Sequence, residues 1–364
     1  MPLPLPDRQM SSEPAHRNNI GFLRITLASL VILSHSVELT DGSRRREPLT
    51  QLFHTVSLGD AALTGFFILS GYLISRSFLS ARTEGDFVLH RVARIVPAFL
   101  VAFLVAILIQ APLLGLSPWS HLPILILDAL SLKQPVLDGV HLNQPAWTIA
   151  FEFRCYLLTL ALGLTGLLRH RHVILGLTLL ASAAAFLTLM HQDSWILYRV
   201  QAIPGWMRSI GEIRRVFQFA TAYLVGSCTF LFWAEIRPRL TLPIALAAFL
   251  LTVPLIAINL PMAYLALSWL GAPPLFWLAM RANLGRLQRI NDRWDISYGT
   301  YLYGWIIQML LVALVPSIDP VMLTLLAIPL AWAAGTISWI VVERRSKDWF
   351  RRRKTLAVTP SATI

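Results

Sequence analysis

Charge is what this sequence has least of. Of its 364 residues only 14% are charged, while 56% are hydrophobic. A soluble chain of this length carries about a quarter charged residues, so a soluble globular enzyme is excluded. Cysteine is nearly absent. Cys155 and Cys228 are the two present, and both fall inside apolar runs, which argues against a disulfide framework and against a zinc site. Short segments of alternating polarity are missing, and with them the signature of a β-barrel. No internal repeat stands out, so an inverted-repeat transporter has no support. The formal net charge is +12, yet no basic patch is interleaved with aromatics, so nucleic acid is not an expected partner. The opening MPLPLPDRQMSSEPAHRNN lacks the apolar core and cleavage site of a signal peptide. The first span is therefore expected to direct insertion.

What is present is a series of long apolar runs. A hydrocarbon core of ~30 Å needs ~20 apolar residues per helix. Ten runs meet that need: 20–40, 57–79, 95–116, 147–168, 172–190, 216–236, 240–258, 261–280, 296–315 and 319–342. The fold class expected is an all-α integral membrane protein, a bundle of about ten transmembrane helices with both termini cytoplasmic. Its parts are a cytoplasmic N-terminal tail (1–19), a membrane domain (20–345) and a basic cytoplasmic C-terminal tail (346–364). The stretch 121–132 is apolar but too short to cross, and is expected to lie re-entrant or at the interface. Lysine and arginine support this orientation. The segments placed inside, with Arg76, hold 21 of the 31 basic residues, as the positive-inside bias requires. Arg44, Arg45 and Arg46 fall outside, against the bias, and read as a solvated loop or as neighbours of an anionic ligand.

Polar residues inside the runs carry the chemistry. Arg24 and His35 are eleven positions apart, which on a helix returns to within about 20° of one face, ~16 Å further along the axis. Arg24 alone could snorkel to headgroups. Two ionisable groups on one stripe point to a pathway or site. Arg91 and Arg94 share a helix face at the cytoplasmic surface, where guanidinium forks suit phosphate, although simple anchoring gives the same pattern. Pro97 reads as the first turn of the third span. Glu152 lies at the depth of His35 with Tyr156 one turn on. A carboxylate beside an imidazole fixes its tautomer, and an ion pair with Arg154 is the alternative. Trp147 fits an interfacial belt. Tyr298 and Tyr301, in DISYGTYLYGWIIQ, suit a belt or a sugar-lined cavity. Ser70 and Gly71 read as close helix packing.

In series these stretches resemble the integral-membrane acyltransferase family 3. The resemblance rests on Arg24 and His35 separated by ten residues, on FFILSGYLI, on Arg91, Arg94, Ile95 and Pro97, on Trp147, Thr148, Glu152 and Tyr156, on Ser297–Leu302, and on Glu343. It runs from about 20 to 345. Gly304 stands where many members have histidine, and Arg345 where many have proline. The resemblance implies acyl transfer from a cytoplasmic acyl-CoA, commonly acetyl-CoA, to a hydroxyl of a surface or lipid-linked carbohydrate such as lipopolysaccharide O-antigen or exopolysaccharide. It implies a multi-pass protein of the bacterial inner membrane, in contact with membrane lipids and holding no permanent cofactor or metal. On that reading His35 is the general base, oriented by Glu152. Arg24, Arg91 and Arg94 hold the donor, and Trp147, Tyr156, Tyr298 and Tyr301 meet the acceptor. The competing reading is a transporter or flippase of a lipid-linked sugar or acyl group, which would release no free thiol from acetyl-CoA.

Overall fold

The computed structural model describes residues 18–191, 194–291 and 294–349, so most of each tail lies outside the described residues. The chain is a helical membrane bundle. The helices used below are α1 (Ile20–Asp41), α2 (Leu58–Leu79), α3 (Glu84–Val105), α4 (Trp147–Leu164), α5 (Arg171–Met190), α6 (Ile213–Leu231), α7 (Trp233–Arg239), α8 (Leu242–Ile258), α9 (Leu260–Trp269), α10 (Ala272–Met280), α11 (Ser297–Leu314) and α12 (Pro320–Ser338). Each of the ten apolar runs is helical. Among the described residues seven helical stretches are long and apolar enough to cross a membrane, and α6 with α7, bent by 86° at their junction, makes an eighth if the pair is one span. Neither α8, which has 17 residues, nor the Tyr- and Gln-bearing α11 reaches that measure. The apolar stretch near 121–132 forms a short helix, Leu122–Leu130.

Local signals set the helix starts. Ser57 caps α2 through Asp60 N while the Asp60 side chain accepts from Ser57 N, a reciprocal capping box. Thr83 caps α3 through Asp86 N. The third span thus starts some three turns before the apolar run does, and Pro97 lies inside a helix rather than in its first turn. The reason is Phe87, buried in the core, which gives the polar segment 84–94 an apolar face to pack. The loop after α1 is pinned by Glu47. Its buried carboxylate accepts from Thr50 N at 2.9 Å and from Leu58 N at 2.6 Å.

Contacts fix the direction of the central helices. Arg24 meets Asp295, His35 meets Trp305 and Ser36 meets Gln308, so α1 and α11 run the same way. Helix α2 runs opposite to α1, with Gly59 against Ser34 and Gly65 against Leu27. Where α2 crosses α6 the backbones touch. A Cβ on Gly71 would sit 1.8 Å from the Tyr223 carbonyl oxygen, and one on Gly226 1.9 Å from that of Ile68. Only glycine allows this approach. Before α4 the chain makes a two-residue hairpin, Val136–Leu137 against Val140–His141. Asp138 and Gly139 turn it with positive φ, the Asp-Gly pattern of a type I′ turn. This places Asn143–Ala146 against the side of α11, where Asn143 Nδ2 donates to the Leu302 carbonyl at 2.9 Å.

Candidate active site

Two cavities lie one above the other among α1, α2, α4 and α11. One, at the Arg24 end, has a volume of about 270 Å³ and is walled by Arg24, Arg91, Arg94, Ser70, Glu152, Tyr156 and Tyr298, among others. The other, at the His35 end, has about 450 Å³ and is walled by His35, Arg44, Asp60, Trp147, Arg154 and Arg215, among others. Both are lined by Leu63, Thr148 and Tyr301.

The Arg24-end cavity gathers three guanidiniums from two helices. Arg24 Nη1 and Arg94 Nη2 both bond Asp295 Oδ2, at 2.6 and 2.7 Å. Ser297 Oγ donates to the other oxygen of that carboxylate at 2.7 Å. Burial opposes ionisation of Asp295, yet Arg24 and Arg94 outweigh it, and the carboxyl stays well below the usual carboxylate range. Arg91 Nη2 donates to Ser77 Oγ at 3.3 Å. Its guanidinium lies 5.8 Å from the ring centres of both Phe87 and Tyr156, and its buried Nε bonds no other group among the described residues. Glu152 accepts from Tyr156 Oη and, at 3.4 Å, from Ser70 Oγ. Glu343 is also buried at this end, where Ser338 Oγ donates to it at 3.4 Å.

The His35-end cavity is organised around an imidazole. His35 Nδ1 lies 2.8 Å from Glu38 Oε2, three residues along the same helix. The same oxygen accepts from Arg44 Nε at 2.9 Å and Arg44 Nη2 at 2.8 Å. Arg44 Nη2 is also 3.3 Å from His35 Nδ1. The carboxylate is the nearer partner and can only accept, so the ring proton sits on Nδ1 and Nε2 is the basic nitrogen. Trp305 packs edge-on against the ring at 4.9 Å. A further chain of bonds backs this group: Arg44 to Ser57 Oγ, Ser57 Oγ to Asp60, and Tyr264 Oη to Asp60 at 3.0 Å. Trp147 sits against Phe151 and Phe219, and the Arg215 guanidinium lies 5.6 Å from its ring centre.

The fold brings Arg24, Arg91 and Arg94 together as the sequence suggested. It does not build the expected His35–Glu152 pair. Glu38 takes that place, because a carboxylate three positions along a helix meets the ring without any help from tertiary packing. Glu152 faces the arginine cavity beside Tyr156 instead. Tyr298 gives its hydroxyl to the Ile95 carbonyl at 3.1 Å, and Tyr301 bonds Thr148 and Pro145. The sequence reading gave no site role to Glu38 or Asp295, and took Arg44 for a solvated loop residue or a neighbour of an anionic ligand. The first had a signal, its spacing from His35. Arg44 and Asp295 lie in connections whose placement only the assembled bundle decides.

Comparison with known proteins agrees with this architecture. The family described as "Acyltransferase domain" matches residues 17–343. The "O-acetyl transferase" of Shigella phage Sf6 is 24% identical over 345 residues, 91% of this chain and 96% of that protein. "Acyltransferase MdmB" of Streptomyces mycarofaciens is 35% identical over 114 residues, 30% of this chain and 29% of that protein's length. No solved structure matches.

Proposed function

The chain belongs to the acyltransferase family defined by that domain, and from this premise we propose that it moves an acyl group, acetyl by preference, from acyl-CoA to a carbohydrate hydroxyl. The acceptor is a surface or lipid-linked glycan, and the site of action is the bacterial inner membrane. The observation that carries the proposal is the pair of stacked cavities, one lined by three arginines and the other by an oriented histidine. Guanidinium forks suit the phosphates of the donor. They line the end that the basic-residue bias assigns to the cytoplasm. The bare Nε2 of His35 suits general-base removal of the acceptor proton. Glu38 keeps the tautomer and stabilises the imidazolium formed in the step.

The bonds then balance as follows. The acceptor oxygen forms a bond to the thioester carbonyl carbon while its proton passes to His35. The carbon–sulfur bond breaks, the electron pair leaves on sulfur, and the proton held by His35 completes the free thiol. Trp147 offers an aromatic face to the incoming sugar from the wall of the His35-end cavity. The acyl group has to pass between the cavities beside Leu63, Thr148 and Tyr301.

The test is thiol release by the purified protein in lipid nanodiscs, supplied with acetyl-CoA and an O-polysaccharide. Thiol should appear in step with acetylated glycan. Acetyl-CoA left intact under conditions where glycan binds would overturn the proposal in favour of transport. The orientation has its own test. Cysteines placed at 45 and 286 should label from opposite faces of the membrane.

A further inference from the structure

We propose that the Tyr301 hydroxyl is the oxyanion donor of the transfer, and that Thr148 is the residue that positions it. The inference rests on the acyl-transfer reading above. If donor and acceptor enter from different cavities, the reacting carbonyl must sit where the two meet. The residues common to both linings are Leu63, Thr148 and Tyr301. Leu63 has no polar side-chain atom, so the two hydroxyls are the polar side-chain groups of the shared lining. His35 borders the junction on one side only, and the arginines, Ser70 and Glu152 border it on the other.

These hydroxyls form a compact group. Tyr301 Oη is 2.6 Å from Thr148 Oγ1 and donates to the Pro145 carbonyl at 2.9 Å. Thr148 Oγ1 reaches the same carbonyl at 3.0 Å. Two donors therefore converge on one acceptor. Thr148 can keep the Pro145 carbonyl satisfied while the Tyr301 proton turns toward the junction, so redirecting it leaves no buried carbonyl bare. The Tyr301 ring is held edge-on to Phe66 at 6.1 Å. With the ring held and only the hydroxyl proton left to turn, little reorganisation remains for the step in which charge develops.

In the addition step the acceptor oxygen bonds to the carbonyl carbon and the carbonyl π pair moves onto oxygen. Tyr301 donates to that oxygen and keeps its own proton. When the carbon–sulfur bond breaks, the carbonyl re-forms and the hydroxyl returns to Pro145. Tyr301 thus acts on charge that exists only during the reaction, so its loss should appear in kcat and spare binding.

The experiment is Tyr301→Phe in nanodiscs, read as acetyl transfer from acetyl-CoA to glycan, with acetyl-CoA affinity measured by calorimetry on the same sample. We expect kcat to fall by about 10²–10³, with acetyl-CoA affinity and acceptor KM within about threefold of wild type. Thr148→Val should lower kcat by less, and Thr148→Ser should restore it. A Tyr301→Phe kcat within threefold of wild type, on protein whose activity still requires His35, overturns the oxyanion assignment and leaves acyl transfer standing. Absence of transfer in the wild type overturns both. Difluorotyrosine at 301 guards against a folding defect, because it keeps the hydroxyl and lowers its pKa. The alkaline fall of kcat should then begin at lower pH than in wild type, and an unmoved profile overturns the assignment.

Discussion

The two cavities handle charge in opposite ways. At the His35 end each carboxylate is bonded to more than one partner: Glu38 to His35 and Arg44, Asp60 to Ser57 and Tyr264, and Glu212 to Arg214 and Arg215. Rigid networks of this kind orient a group whose proton must move in one direction. At the Arg24 end two guanidiniums share a single oxygen of Asp295, and a third, Arg91, is set between a hydroxyl and two aromatic rings. Among the described residues Asp295 is the one carboxylate that bonds these guanidiniums directly, while Glu152 stands in the same cavity wall and Glu343 is buried nearby. The difference teaches that one end of the molecule surrounds an imidazole with multiply bonded carboxylates while the other gathers guanidiniums from two helices.

The contrast breaks most visibly at His35. His35→Ala should lower acyl transfer by about 10²–10⁴ while acetyl-CoA still binds, and transfer within twofold of wild type would remove the base from the His35-end cavity. The second test separates Glu38 from Glu152. Glu38→Gln should lose most of what His35→Ala loses, and the double variant should be little worse than His35→Ala alone, because the two act as a unit. Glu152→Gln, on the other side of the junction, should instead combine multiplicatively with partial His35 variants such as His35→Gln. If Glu38 multiplies and Glu152 does not, the carboxylate roles are reversed. At the arginine end, Arg91→Ala should weaken acetyl-CoA binding by roughly 1.5–3 kcal/mol with little effect on acceptor KM, which calorimetry would read directly. The smallest effect belongs to Arg46. Its pair with Asp41 is on the surface, and Arg46→Ala should change neither activity nor melting temperature measurably.

Much of the fold was legible because lipid leaves few options. A run of apolar residues in this setting must be helical, and each of the ten runs is, although 216–236 and 261–280 are each divided between two helices. Boundaries were less legible. Helix α3 begins eleven residues before its apolar run because Thr83 caps it there and Phe87 and Ala93, set among charged residues, are buried in the core. The site was legible where it follows helical arithmetic, as for Arg24 with His35 and Arg91 with Arg94. It was not legible where loops decide. Arg44 looked like an anomaly of charge and is instead bonded to Glu38, held there by a loop that Glu47 caps at both ends. Asp295 precedes α11 and meets α1 and α3, partners more than 200 positions away. No local pattern announces a contact at that separation.

Arg24 and His35 are carried on one uninterrupted helix, and this makes α1 a gauge. Their separation, ~16 Å at 1.5 Å per residue, cannot be altered by movements elsewhere in the bundle, because both ends belong to the same rod. On the proposed reading, a donor held by its phosphates near one mark can bring its reactive carbon to the junction, within reach of the other, only if the arm between them is long enough. Selection among donors is then a matter of length before it is one of affinity. A compact activated acyl group, however reactive, would be caught at the first mark and never arrive at the second.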